Sequence, residues 1–317
     1  MMRNAQLSAV ALSALVCSAC TPAETDTGWV PEDGWTNDEP ADHTAVFSGL
    51  DDPRGLVTTA NGLAVAEMDE GRVVEIIDGA LSILADDLDE PYMLAASDSG
   101  IVATERGAGR VLYLSNDTMA VLADGQDSPG RVVAQGDSAW WIDEGSEEIW
   151  TADLNTSTAT LLAAVDDPTG LDWTAEGLLV TRAGSCDCVS LIDLETGAET
   201  ELVDVEENPV DVLATGAGIF MSAESHYWPY GGWLYSVDAE NQSASSLSYS
   251  PPGPAWLAAN DTHLFWTTDG NIVTVPLEGG TYQTLAILTA PGDLAVTEDV
   301  IFWTDRQRGA VLTVALP

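Results

Sequence analysis

A proline recurs seven times at nearly constant spacing, and this limits the fold more than any other feature. Pro53, Pro91, Pro129, Pro168, Pro209, Pro254 and Pro291 are separated by 38, 38, 39, 41, 45 and 37 residues. Three residues after each stands an apolar side chain: Leu56, Leu94, Val132, Leu171, Val212, Leu257 and Leu294. A second segment follows, reading LAVAE, IVATE, AWWID, LLVTR, IFMSA, LFWTT and IFWTD. A third reads RVVEII, RVLYLS, EIWTAD, VSLIDL, WLYSVD, NIVTVP and AVLTVA. A shorter fourth reads LSILAD, MAVLAD, ATLLAA, TELVDV, SSLSYS and QTLAIL. Each unit is thus four short runs of β-branched and aromatic residues bounded by Gly, Asp, Asn and Pro, the pattern of strands and tight turns.

A lone four-stranded sheet leaves both faces wet, and stacking such units side by side covers them. A repeat of about 40 residues with four strands is the blade of a β-propeller. The last unit stops after its third strand, whereas AVFSGL at 45–50 resembles a fourth strand and precedes the first unit. The expected fold is therefore all-β: a seven-bladed β-propeller of four-stranded blades, closed by an N-terminal strand completing the C-terminal blade. That closure also covers an exposed sheet edge. A six-bladed ring would leave one unit unused.

The chain divides into a targeting segment at 1–20, an acidic tether at 21–43 and the propeller at 44–317. Arg3 and the apolar run from Leu7 to Val16 have signal-peptide flanks and are too short to span a bilayer. Cys17-Ser18-Ala19-Cys20 resembles a bacterial lipobox, with Cys20 as the lipidated residue and Cys17 where a leucine is usual. An ordinary secretory signal is the alternative. Either reading places the mature chain outside the cytosol, and the first holds it to a bacterial membrane through a lipid anchor only.

There are 52 acidic residues against 9 basic ones, all of them arginine, for a net charge of -43. Such a field repels phosphate backbones, so nucleic acid is excluded as a partner. Cations and cationic partners remain, as does simple solubility in salty surroundings. A monomer is expected.

The end of the second strand forms a column: Glu67, Glu105, Asp143, Arg182, Ala223, Thr268 and Asp305. In ring order Asp305 adjoins Glu67, giving an arc of four acids. The starts of the first strands lie at the same face and contribute Arg54, Tyr92, Arg131, Asp211, Trp256 and Asp293. Converging oxygens of Glu67, Glu105, Asp143 and Asp305 are candidate ligands for calcium. The plainer alternative is that strand-end acids satisfy turn amides.

Blade five departs from the repeat through an enlarged turn, AESHYWPYGGW at 223–233, carrying His226, Tyr227, Trp228 and Tyr230. Such a loop either contacts a ligand or packs on itself. Cys186 and Cys188 flank Asp187 in the matching turn of blade four, and outside the cytosol they are expected to form a disulfide. The sequence carries no nucleophile elbow, phosphate loop or HExxH motif.

LFWTTDGNI and IFWTDRQRGAV resemble YWTD-type repeats, and the Pro-x-Gly-Leu turns of blades one and four are similar to those of NHL-type propellers. VATERGAGRVLYL is similar to repeats of virginiamycin B lyase-like propellers. These resemblances imply the architecture and, through the lyase-like group, a histidine and a metal ion for activity. The leading functional expectation is a non-catalytic scaffold that binds a ligand or protein on one propeller face. The alternative is a metal-dependent hydrolase or lyase of the lactonase-like or lyase-like type. It would use some of Glu67, Glu105, Asp143, Asp211, Asp293 and Asp305, with His226 or a carboxylate as base.

Overall fold

The computed structural model describes residues 43–115, 118–184, 186–226, 231–288 and 290–316. The targeting segment with Cys20, the tether up to residue 42, and Tyr227, Trp228 and Tyr230 lie outside the described residues.

Each proline-led unit folds into one four-stranded antiparallel sheet with strands in chain order. The blades span 53–85, 91–124, 129–164, 168–204, 208–250, 257–287 and 291–315. The inner strands are Pro53–Thr58, Pro91–Ala96, Pro129–Gln135, Pro168–Thr174, Asn208–Thr215, Leu257–Ala259 and Pro291–Val296. Each packs on the next, and the last packs on the first, so the ring is closed. The inner strand of blade six starts late because Pro251, Pro252 and Pro254 crowd its approach, and proline has no amide for the ladder.

Burial explains why alternation is strong in some strands and absent in others. The second strands lie between neighbouring blades, and Leu63–Glu67 and Ile101–Glu105 are buried at every position. Such strands read as continuous apolar runs. Outer strands face solvent on one side, as in Thr158–Ala164, where buried and exposed positions are mixed. Twelve residues beyond the proline, blades three, six and seven place Trp141, Trp266 and Trp303, all fully buried. Two of these indoles find acceptors in the chain that leads into the blade: Trp141 donates to Gln126 Oε1 at 2.7 Å and Trp266 to Ser250 Oγ at 2.9 Å.

Inner strands have one open edge, and side chains from the neighbouring blade satisfy it. Asp293 of blade seven accepts the Leu56 amide at 3.0 Å, while Thr304 donates to the Arg54 carbonyl at 2.9 Å. Asp211 takes the Leu257 amide at 2.8 Å, linking blades five and six. Asp172 takes the Ala214 amide at 2.6 Å, linking blades four and five. An inner-strand amide left dry and unpaired would cost about 1–3 kcal/mol.

The strand Thr44–Ser48 pairs antiparallel with Ala310–Ala315, as the outer strand of the last blade. It ends at Ser48, earlier than the AVFSGL segment suggests. Gly49 adopts φ +92°, a conformation that favours glycine, and both Gly49 and Leu50 donate to the Gly309 carbonyl at 2.9 Å.

Candidate functional site

The ladder between first and second strands slips near every proline that opens an inner strand. The register shifts between Pro53 and Leu56, Pro91 and Leu94, Pro129 and Val132, and Pro291 and Leu294. Shifts also follow Pro168 and Pro209. A β-bulge re-aims the side chains it carries. Here these include Arg54, Tyr92, Arg131 and Asp293, which gather with Asp211 and Trp256 at one mouth of the channel.

Two cavities of 230 and 510 Å³ share Trp256 as a wall. The smaller is bounded by Arg54, Tyr92, Asp293 and Arg306. The larger is bounded by Arg131, Glu144, Glu147 and Thr169. Arg131 of blade three reaches across to pair with Asp211 of blade five, and its guanidinium lies 4.0 Å from the ring centroid of Trp256 of blade six. Arg106 lies 4.0 Å from the Tyr92 ring centroid and pairs with Glu144. Arg54 and Arg306 share one carboxylate, Asp52, at 2.8 Å each. Four of the nine arginines thus gather at one mouth, interleaved with acids and two aromatic rings. Cation–π contacts of this kind hold an aromatic wall in a fixed orientation.

Burial sets the protonation of the acids in this bowl. Desolvation pushes the Asp293 carboxyl up to about 6, against the Leu56 amide and the charge of Arg131. Burial raises Asp211 as well, opposed by Arg131 and by the Leu257 amide. Glu144 is also raised by desolvation, with Arg106 and Arg131 pulling it down.

The strand-end acids do different work. Glu67, Glu105 and Asp143 are buried, and each accepts the backbone amide two residues before its blade's proline. Glu67 takes the Asp51 amide at 3.0 Å, Glu105 the Asp89 amide at 2.7 Å and Asp143 the Asp127 amide at 3.0 Å. The next residue then donates its amide to the residue before the proline, as Arg106 does to the Glu90 carbonyl at 2.9 Å. Acid and neighbour together fasten the turn to the inter-blade loop. Arg72 and Arg110, each opening the third strand, neutralise Glu67 and Glu105 at 2.6 Å. In blade four the polarity is reversed: Arg182 donates from Nε to the Asp166 carbonyl at 3.0 Å. Asp305 holds the Arg308 amide at 3.0 Å, and the counterpart loop position, 289, lies outside the described residues.

The expected calcium arc therefore takes a different form in the structure. Among the described residues, no three of Glu67, Glu105, Asp143, Asp211, Asp293 and Asp305 bring ligand oxygens within 4.8 Å of one another. The carboxylates of Glu67, Glu105 and Asp143 are turned toward their own loops, where each accepts a backbone amide.

His226 lines neither cavity but stands one residue behind the rim, since Asp187, its partner, accepts the amide of Gly184 in the wall of the larger one. It is exposed, with Nε2 3.2 Å from the Asp187 carboxylate, and its amide donates to Glu207 at 3.0 Å. Trp233 packs edge-on against Tyr249 of the outer strand at 5.5 Å. Cys186 and Cys188 are joined in a disulfide with Cα atoms 5.3 Å apart. The Glu201 carboxylate lies beside them, but bonded sulfurs are not thiolate ligands.

Arg106, Glu144 and Arg306 also belong to the bowl, although the sequence did not single them out. They stand one place beyond the acid column, and reading that next column would have found them in blades two, three and seven.

No known family matches this chain, and no curated protein does. Solved structures with the same fold include hydrazine synthase of Kuenenia stuttgartiensis. It aligns over 91% of this chain and 99% of that chain, with 12% identity and a TM-score of 0.71. A gluconolactonase of Xanthomonas campestris aligns over 87% and 89%, with 12% identity and a TM-score of 0.56. A chain of a nidogen/laminin complex aligns over 63% and 80%, with 18% identity and a TM-score of 0.50. At such identities the likeness defines the chain as a β-propeller and no more, because this architecture hosts binding proteins and enzymes alike.

Proposed function

We propose that this protein is a non-catalytic, extracytoplasmic binding propeller, lipid-anchored through Cys20, which takes its ligand or partner protein at the channel mouth around Trp256. The observation that carries the reading is the span of Arg131 across the channel, from blade three to Asp211 of blade five and Trp256 of blade six. This fixes the bowl before any ligand arrives, and preorganised sites bind with less ordering cost. The arginines are already paired with acids, which suits hydrogen bonding to a polar ligand better than proton transfer. Two cavities either side of an indole fit a ligand that stacks on an aromatic face while its polar edges meet Arg54, Arg306 and Glu144.

The test is binding of the full chain to arrayed oligosaccharides and peptides, compared with Trp256→Ala. At least one class should bind and weaken tenfold or more in the variant. Binding unaffected by Trp256→Ala, or a metal-dependent hydrolysis lost in Glu105→Ala, would contradict the reading.

A further inference from the structure

The opposite face of the ring carries a larger cavity, of 790 Å³, where the inner strands of blades three, four and five end. It runs between blades four and five. Its apolar walls, Val133, Leu179, Leu191, Leu202, Ala214 and Ile219, are joined by the polar side chains of Gln135, Thr174 and Thr215. That volume lies within the usual range for small-molecule sites of roughly 300–1,000 Å³. One indole, Trp173, joins the lining, and Glu176 and Glu240 stand at the exposed edge.

A single buried-side carboxylate belongs to this cavity, that of Asp172. Its oxygens accept the Trp173 amide at 2.8 Å and the Ala214 amide at 2.6 Å. No cation pairs with it among the described residues, and Arg131, whose charge it feels, is committed to Asp211. Desolvation holds its carboxyl up to about 6, with Asp211 adding to the effect and Arg131 opposing it. A desolvated carboxylate without a counter-charge is costly, and a ligand cation supplies one. The acidic edge and the net charge of -43 draw cations toward the same place.

We infer that this groove is a binding site for an amphiphilic cation, with its ammonium or guanidinium group on Asp172 and its apolar body along Leu179, Leu191, Leu202 and Ile219. The groove shares no lining residue with the two cavities around Trp256.

Three probes share one chain and differ only in the head: octylammonium, octanol and octanoate. Calorimetric titration of the full-length protein at pH 7.5 and fixed ionic strength compares them. Octylammonium should bind saturably, octanol at least tenfold more weakly, and octanoate without measurable heat. Gly216 lines the groove, a Cβ there would meet only open space, and its φ is not positive, so Gly216→Trp adds an indole at the groove's edge without backbone strain. That variant should keep its melting temperature and lose octylammonium binding tenfold or more. Trp256→Ala should leave it unchanged, which separates this site from the bowl. Asp172→Asn should abolish the preference for the cation over octanol. Equal affinity for octanol or octanoate, or octylammonium binding that survives Gly216→Trp, would overturn the proposal.

Discussion

Arg131 and Asp211 form an ion pair across the channel mouth, between blades three and five. Asp211 is only 2% exposed, so its carboxylate depends on this guanidinium for a counter-charge. Arg131→Ala strands a buried acid, and the expected loss is about 3–5 kcal/mol. Arg131→Ala with Asp211→Asn should recover part of it. Urea unfolding of the single and double variants measures the coupling, and strictly additive losses would mean that the pair is idle.

Blade three lacks a salt bridge that blades one and two possess. Arg72 and Arg110 neutralise Glu67 and Glu105, but the same position in blade three holds Glu148 opposite Asp143. Asp143 keeps one buried oxygen without a partner, and burial raises its carboxyl. Glu148→Arg should restore the pair and stabilise the protein by roughly 1 kcal/mol, less the loss of the Trp150 indole bond at 3.0 Å. The denaturant midpoint of this variant against the parent decides it, and a fall would show that the blade-three pin differs from the others.

The raised acids set the direction of the pH response. For Asp293 the folded pKa of about 6 lies above the ordinary 3.8, so the folded state holds the proton more tightly. The stability from this group is fully present below the unfolded pKa and is lost as pH rises through 6. Asp172, also at about 6, acts in the same sense. The melting temperature should therefore rise between pH 7.5 and pH 5, and relief of repulsion among 52 acids adds to it. Asp293→Asn should flatten the slope. A parent whose melting temperature falls steadily over that interval would contradict the assignment.

The disulfide closes a ring of only three residues, Cys186 to Cys188. Loop-closure entropy for so short a segment amounts to roughly 1–2 kcal/mol, less than for a long loop. Reduction with dithiothreitol should lower the melting temperature by a few degrees and leave the fold cooperative. Global unfolding on reduction would show that the bridge holds more than its own turn.

The blades were legible because the proline spacing and strand composition repeat seven times, and local patterns agree with the ring they build. The positions of Arg54, Tyr92, Arg131, Asp211, Trp256 and Asp293 at one mouth were legible too, since each stands one or two residues after its blade's proline. The direction of each strand-end acid was not. Glu67 and Glu105 look like a shared arc when written as a column, but each side chain answers to a backbone amide in its own loop. Arg131 spanning two blades, and Asp172 facing a groove on the far side, depend on the ring's three-dimensional closure. No spacing along the chain encodes those distances.

The central claim is that the strand-end acids fasten loops and that recognition sits elsewhere. Thermal unfolding of the full chain with EDTA, then with Ca²⁺, Mg²⁺ or Zn²⁺ at fixed ionic strength, tests it most directly. The same series is run on Glu67→Gln with Glu105→Gln. The account predicts a lower melting temperature for the double variant, because two ion pairs are lost, and the same cation response in both proteins. A saturable rise with one cation that disappears in the double variant would show that these acids bind metal, and would contradict the account.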